Sequence, residues 1–396
     1  MNGHRRLAVT CLATAAVAAL WVLLLFLPET NRPQLSCFIF FGDAPMLDWN
    51  FIRYAADFPD AYSNANLPEA CPGLGPIPKA DVCNPALAML LVRLLPSAFA
   101  WGVAVTVTGT VLYLLAAALY LRRRTGVAAP WVAGTLLATF PFFAAFVVGN
   151  VILYAAAAGL VFLALYDSDS RSERVIAALA LAFSFAVKIS PAVLGVLYFA
   201  DWRRHWPYAL VSAFAAVLML LVPFAAYGGV EGFGNWFACA AANSAAYESR
   251  NVIGLYGVFY TLGMMLGRYA EWYPSGHVPV HALSAVLALA ALASAAWGRR
   301  SPVERTFLAT AGMVMLPPTM MVYTLLFVLP PVLALPSRRS ALAFVALACP
   351  LQVFVAGHSL QPLVASAAFL LLVLVTLFVR HGDVADEWAK KEKEAQ

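Results

Sequence analysis

The sequence predicts an all-α polytopic membrane protein, a bundle of about 12 transmembrane helices with one long extracytoplasmic loop. Three observations carry this expectation. Charged residues are 11% of the 396 and hydrophobic residues 63%, whereas ordinary soluble chains are about a quarter charged and about half apolar. The apolar residues recur in stretches of roughly 20, the length that crosses a hydrocarbon core. The basic residues are gathered into short clusters between those stretches.

The clusters set the orientation. They fall at Arg5–Arg6, Arg122–Arg124, Arg171/Arg174, Arg203–Arg204, Arg299–Arg300/Arg305, Arg338–Arg339, and Arg380 with Lys390, Lys391 and Lys393. Calling these cytoplasmic puts 18 of the 25 Lys and Arg inside and seven outside, as the basic bias of inner loops requires. Both termini are then cytoplasmic, in a cell membrane.

The elements follow in order. Residues 7–27 form the first span, running outward. No small-x-small cleavage site with a hydrophilic body follows it, so it does not read as a signal peptide. Residues 28–84 are the long loop, rich in Pro, Asn, Asp and Gly, with a short amphipathic stretch near 46–58. Asp43 and Asp48 lie at its head, in GDAPMLDWNFIRY. The run from Asn84-Pro85 to Leu95 reads as a helix lying at the outer surface. Spans are expected at about 97–121, 127–148 and 151–166.

Between two inner clusters the pattern changes. The apolar runs 175–187 and 191–200 are each too short to cross at ~1.5 Å per residue, and they meet at Lys188-Ile189-Ser190-Pro191. The spacing predicts a broken hairpin over 175–200, tolerated only where it is covered by protein or lines a wet cavity. Lys188 then sits at the floor of an outward-facing cavity, where a charge is costly and a functional role is the default. The alternative is a lysine snorkelling from a helix end.

Residues 207–224 return outward, and the outer segment 225–251 is polar and aromatic. Residues 252–267 dip in and come back. Spans near 280–297, 303–318, 320–336, 340–357 and 362–380 complete the count, with outer turns at Pro317-Pro318 and Gly357-His358. Residues 1–380 are thus one transmembrane domain and 381–396 a charged cytoplasmic tail. No internal repeat is visible. Met313, Met315, Met320 and Met321 read as core packing.

Cys37, Cys71 and Cys83 fall in the long loop and Cys239 in another outer segment. Thiols outside the cytosol oxidise, which makes Cys71–Cys83 a candidate staple, with connectivity open. The spacing fits no zinc pattern, and neither a metal nor a cofactor is expected. No phosphate-cradling Gly-rich loop or dinucleotide fingerprint lies on an inner loop. Nothing points to nucleic acid.

Set in order, the outer residues resemble glycosyltransferase family 87, polytopic GT-C enzymes that include polyprenyl-phosphate-mannose-dependent mannosyltransferases. The likeness runs from about residue 40 to 335. An early-loop Asp with an aromatic beside it and a Tyr shortly after is matched by Asp48-Trp49 and Tyr54. A Tyr-Pro-Pro-like step into an apolar helix is matched loosely by Cys83-Asn84-Pro85 and ALAMLLVRLLP, and a Gly-Gln by Gly149-Asn150. A Lys-x-x-Pro turn between two short helices is matched by Lys188 and Pro191, with DWRRHW following. Asn251 matches an Asn before a dipping helix, and Pro318 with Tyr323 a late Pro followed by a Tyr. The second Pro of the Tyr-Pro-Pro step is missing, Asn150 replaces Gln, and Met and Val replace a Trp and His between the late Pro and Tyr.

The resemblance implies a GT-C-type bundle and an inverting transfer of a hexose, mannose in the named relatives, from a polyprenyl-phosphate donor to a lipid or glycan acceptor at the extracytoplasmic face. Asp48 is the candidate base, with Asp43 as the alternative, since one sequence does not rank two carboxylates five residues apart. Lys188, then Arg250 and His277, are candidate cations for the leaving phosphate. Tyr54, Asn150, Asn251, Tyr323 and Trp236 are candidates for contact with sugar or acceptor. Two other classes fit the composition: a transporter or flippase of a lipid-linked or envelope-glycan precursor, which internal pseudo-symmetry would mark, and an inactive scaffold subunit.

Overall fold

The computed structural model describes residues 8–17, 19, 46–58, 61–62, 66–69, 76–78, 84–126, 132, 134–246, 254–317, 322–348, 354–355 and 358–379. The chain is almost wholly helical there. The helices are α1 (Ala8–Val17), α2 (Leu47–Ala55), α3 (Ala86–Arg93), α4 (Phe99–Thr125), α5 (Phe140–Val148), α6 (Ile152–Leu165), α7 (Arg171–Val187) and α8 (Trp202–Leu221). They continue with α9 (Gly229–Ala246), α10 (Gly254–Met265), α11 (Tyr269–Trp297), α12 (Pro302–Met315), α13 (Leu329–Ala334), α14 (Arg338–Ala348) and α15 (Gln361–Phe378). Two small antiparallel ribbons complete it, β1 (Asn66–Glu69) with β2 (Pro76–Pro78), and β3 (Phe354–Val355) with β4 (His358–Ser359).

Three helical stretches among the described residues are long and apolar enough to cross a membrane: Phe99–Thr125, Ser190–Ala226 and Val278–Trp297. Their outer faces are apolar. Val107, Val111 and Leu115 on α4, Phe214, Val217 and Leu221 on α8, and Leu283, Val286 and Leu289 on α11 are all exposed at three- and four-residue spacing. Such stripes would be an aggregation hazard in water and suit contact with lipid. The opposite pattern holds for α6, whose residues are buried nearly all round. It is the central post, packed between α4 and α7.

Several expected spans are interrupted, each for a local reason. In the stretch 127–148, Thr135–Ala138 is a 3-10 turn, Thr139 is extended, and α5 restarts with Pro141 in its first turn, where a missing N–H costs nothing. The outer segment 225–251 is not only loop, since α9 occupies much of it. The stretch 320–336 divides into a 3-10 turn, Val322–Phe327, and the short α13 carrying Pro330-Pro331 at its start. In the stretch 340–357 the helix is described only to Ala348, and Phe354–Val355 pair as a strand with His358–Ser359.

At Lys188 the chain leaves α7 in an extended conformation, then winds as a 3-10 helix over Ser190–Asp201 before α8 begins. Pro191 accounts for the break: its ring would meet the carbonyl four residues back, at Val187, and it has no N–H to give. The 3-10 segment packs back along α7. Its far end returns to the start of α7, because Arg204 bonds the Ser168 carbonyl at 2.9 Å and Asp169 at 2.6 Å.

The basic clusters meet at that end. Arg124 grips Asp167 through both carboxylate oxygens, at 2.7 and 2.8 Å, and Arg123 pairs with Glu173 at 2.5 Å. Arg300 reaches the Leu377 carbonyl near the end of α15. Four of the clusters recognised in the sequence therefore share one end of the bundle.

Candidate functional site

Asp48 stands in the first turn of α2, where the helix N-terminus favours an acidic side chain. The entry to that turn is tightly determined. Met46 adopts a left-handed conformation, φ 61°, and its N–H donates to the Val147 carbonyl at 2.9 Å. Trp49 is fully buried, with its indole against Gly102 of α4; a Cβ there would come within 2.6 Å of Trp49 Cδ1.

Asn150 arrives from the other side. Gly149 ends α5 in the left-handed region, φ 67°, and the Asn150 N–H returns to the Ala145 carbonyl while the Gly149 N–H bonds the Phe146 carbonyl. This is the Schellman arrangement that glycine favours. A side chain at this position would crowd its neighbours, because a Cβ would lie 2.7 Å from Met46 Sδ and 3.0 Å from Trp49 Cβ. The Asn150 carboxamide oxygen accepts the Ile152 N–H at 2.8 Å, opening α6. Its Nδ2 donates to Asp48 Oδ2 at 2.5 Å. The Ile152 bond fixes which end of the amide is oxygen, so the donor faces the carboxylate.

The second pair is Lys188 and Tyr323. The ammonium lies over the Tyr323 ring, 5.9 Å from its centre, at the outer limit of a cation–π contact. Among the described residues no carboxylate lies within 4.0 Å of Lys188. Two residues on, Ser190 Oγ is buried with no hydrogen-bond partner. Tyr323 belongs to the 3-10 turn that packs on α5 and α6, and Tyr113 of α4 fastens that turn by donating to the Leu326 carbonyl at 3.1 Å.

One contact relates the two pairs. Ser184 Oγ donates to the Ala155 carbonyl at 2.7 Å, joining the last turn of α7 to the first turn of α6. The two helices are antiparallel, joined by a short turn. Lys188 lies four residues beyond Ser184 and Asn150 five residues before Ala155, about 6 and 7.5 Å of axial rise in the same direction. Asn150 with Asp48, and Lys188 with Tyr323, therefore emerge at the same end of the α6–α7 hairpin. The Arg-rich end is opposite.

The remaining candidates fare differently. Tyr54 is half-buried on α2 and packs against Phe58, ring centres 5.2 Å apart. It follows Asp48 by six residues, about 120° away around the helix, so the two do not share a face. Trp236 is 3% exposed and packs against Phe224 and Phe233 at 5.7 and 5.6 Å; it is a core aromatic with rings already against it. Cys239 is buried, with its Sγ facing the Tyr62 carbonyl at 3.5 Å. Asp43, Arg250, Asn251, Pro318, Cys37, Cys71 and Cys83 lie outside the described residues. His277 is on α11, with its side chain outside the described part. Among the described residues no three His, Cys, Asp or Glu side chains converge as metal ligands.

Sequence reasoning missed Met46, Gly102, Ser184 and Ser190. The small residues Gly102, Thr106 and Gly109 along one face of α4 were the available signal for the first two, since such stripes mark close helix contacts in membranes. Nothing in the sequence distinguishes Ser184 or Ser190 from other serines.

A family model described as glycosyltransferase family 87 matches residues 85–324, more than half of the chain. No curated protein and no solved structure matches it.

Proposed function

The chain belongs to glycosyltransferase family 87 and is a membrane glycosyltransferase, and we propose that it moves a hexose, mannose by family resemblance, from a polyprenyl-phosphate donor to a lipid or glycan acceptor. The reaction belongs to the extracytoplasmic face of a cell membrane, in a GT-C-type bundle of about 12 crossings over residues 1–380, with both termini and the 381–396 tail cytoplasmic.

The observation that carries the reading is the shared level of Asp48–Asn150 and Lys188–Tyr323, at the end away from the arginines. A carboxylate and an ammonium at one end of an apolar bundle, with no carboxylate within 4.0 Å of the ammonium among the described residues, are the two charges this chemistry needs. Asp48 takes the proton of the acceptor hydroxyl as its oxygen bonds the anomeric carbon. The bond from that carbon to the phosphate oxygen breaks on the opposite side, so the configuration inverts. The polyprenyl phosphate leaves with the electron pair, and Lys188 stabilises its growing charge. Asn150 holds the base by one oxygen.

Ser190 joins the proposed phosphate contacts because its buried hydroxyl has no partner among the described residues. Arg250 and His277 are the other proposed cations, Asn251, Tyr54 and Tyr323 line sugar or acceptor, and Asp43 is the alternative base. Trp236 is left out, being enclosed by other rings.

Purified protein incubated with polyprenyl-phosphate sugars and a panel of lipid and glycan acceptors should transfer the hexose to at least one acceptor. Transfer from a nucleotide sugar but from none of the lipid-linked donors would overturn the donor assignment.

A further inference from the structure

The Arg-rich end holds a second feature that the glycosyl-transfer reading does not use. A pocket of about 220 Å³ opens between the end of α6, the end of the 3-10 segment, the start of α8 and the start of α12, lined by Tyr166, Asp201, Arg204, His205, Arg300 and Arg305, with Asp167 at its wall. Its volume is several times the ~30 Å³ share of one water.

His205 is 3% exposed, set edge-on to Tyr166 and Tyr198 at 6.0 and 6.2 Å. Neither of its ring nitrogens has a hydrogen-bond partner, and Arg300 Nη1 is likewise buried without one. Buried polar atoms are nearly always satisfied; an imidazole always carries at least one N–H and a guanidinium nitrogen only donates, so these atoms beside one pocket point to a ligand that accepts hydrogen bonds.

The charges agree. Asp167 is taken by Arg124, and Arg204 by Asp169. Asp201 Oδ1 accepts the Arg204 N–H as the cap of α8. Among the described residues Arg300 and Arg305 contact only neutral oxygens, those of Ser294 and Leu377 for Arg300, and of Arg300 and Gly298 for Arg305. Two guanidinium charges thus face the pocket with no carboxylate within 4.0 Å among the described residues.

We infer that this pocket binds a phosphate-type anion, held by Arg300 and Arg305 with His205 donating an N–H. Guanidinium and phosphate match in geometry as well as charge. The phosphate is either free in solution or the headgroup of an anionic phospholipid, since the pocket lies at an end of a membrane bundle.

The full-length protein tests this in two arms, neither of which reads glycosyl transfer. In detergent, melting is followed against inorganic phosphate at constant ionic strength set with chloride. In nanodiscs, native mass spectrometry counts retained phosphatidylglycerol against phosphatidylcholine. Saturable stabilisation by phosphate identifies a soluble ligand, and selective retention of phosphatidylglycerol a lipid headgroup; either supports the site.

The double substitution Arg300→Gln with Arg305→Gln should weaken whichever effect is seen by at least about tenfold. His205→Phe keeps the ring contacts and removes two orphaned nitrogens, so it should melt no lower than wild type while losing much of the anion effect. Arg339→Gln, exposed at the start of α14, should change nothing. No saturable effect in either arm, or an equal loss in Arg339→Gln, overturns the inference.

Discussion

The Asn150 carboxamide donates to Asp48 Oδ2 at 2.5 Å, across 102 positions of sequence. Because its oxygen is already committed to the Ile152 N–H, the amide is held in one orientation and offers the carboxylate only a donor. Asn150→Ala should therefore lower kcat by about tenfold or more, the worth of a hydrogen bond to a charged group, with little change in donor KM. Asn150→Asp should be worse, setting a like charge against Asp48. Steady-state kinetics on both variants decides it; unchanged kcat in Asn150→Ala would detach Asn150 from the base.

The base itself is tested by Asp48→Asn, which keeps size and removes the proton acceptor. Turnover should fall by roughly 10²–10⁴, while donor binding, assigned to the other side of the site, survives. If Asp43→Asn loses activity and Asp48→Asn keeps it, the roles are exchanged.

Gly149 makes that arrangement possible. Alanine there must hold φ near 67°, costing about 1–2 kcal/mol, and must place a Cβ against Met46 Sδ and Trp49 Cβ. The thioether can swing aside, but Trp49 is locked against Gly102. Gly149→Ala should consequently push α2 away from α5, and lose activity even at temperatures where the protein remains folded. Activity tracking the folded fraction alone would show that the junction does not position Asp48.

The residues that meet at this end were legible because they are polar in a chain made mostly of oil. Asp48, Asn150, Lys188 and Tyr323 each stood out against apolar surroundings. Their pairing was not legible, since it depends on the Gly149 turn and on the Ser184–Ala155 contact, and a buried serine carries no mark of its partner. The bundle was legible from apolar run length, and the broken segment at Lys188 from Pro191. The 3-10 turns at Thr135–Ala138 and Val322–Phe327 were not, because composition hardly separates three residues per turn from 3.6. The rings around Trp236 were not legible for a simpler reason: an aromatic in a polar outer segment looks alike in sequence whether it faces sugar or other rings.

At the Arg-rich end the Ser168 hydroxyl, and after it Arg123, holds the Glu173 carboxyl below its ordinary range. A depressed folded value means the contribution is fully present above the ordinary carboxylate pKa of about 4.3 and is lost as pH falls through the folded one. Wild type should melt slightly above Glu173→Gln near pH 7, and the gap should narrow as pH falls through the acid range. A gap constant across that range would show that the Glu173 charge contributes nothing.

Lys188 carries the sharpest test of the proposed chemistry. Its aromatic partner supplies a fraction of what an ammonium loses on leaving water: about 0.5–2 kcal/mol from Tyr323, against several kcal/mol of desolvation. The donor phosphate is the proposed counter-charge, with water in its place when the site is empty. Lys188→Met should abolish transfer and weaken donor binding while leaving the unliganded fold intact or slightly more stable. Lys188→Arg should rescue only in part, because a planar guanidinium approaches phosphate in a different geometry from an ammonium. Ser190→Ala should weaken donor binding less than Lys188→Met and leave the unliganded fold no less stable, since its hydroxyl is buried without a partner. Melting curves with and without polyprenyl-phosphate sugar separate these outcomes: equal donor-induced stabilisation in wild type and Lys188→Met would take the phosphate away from Lys188.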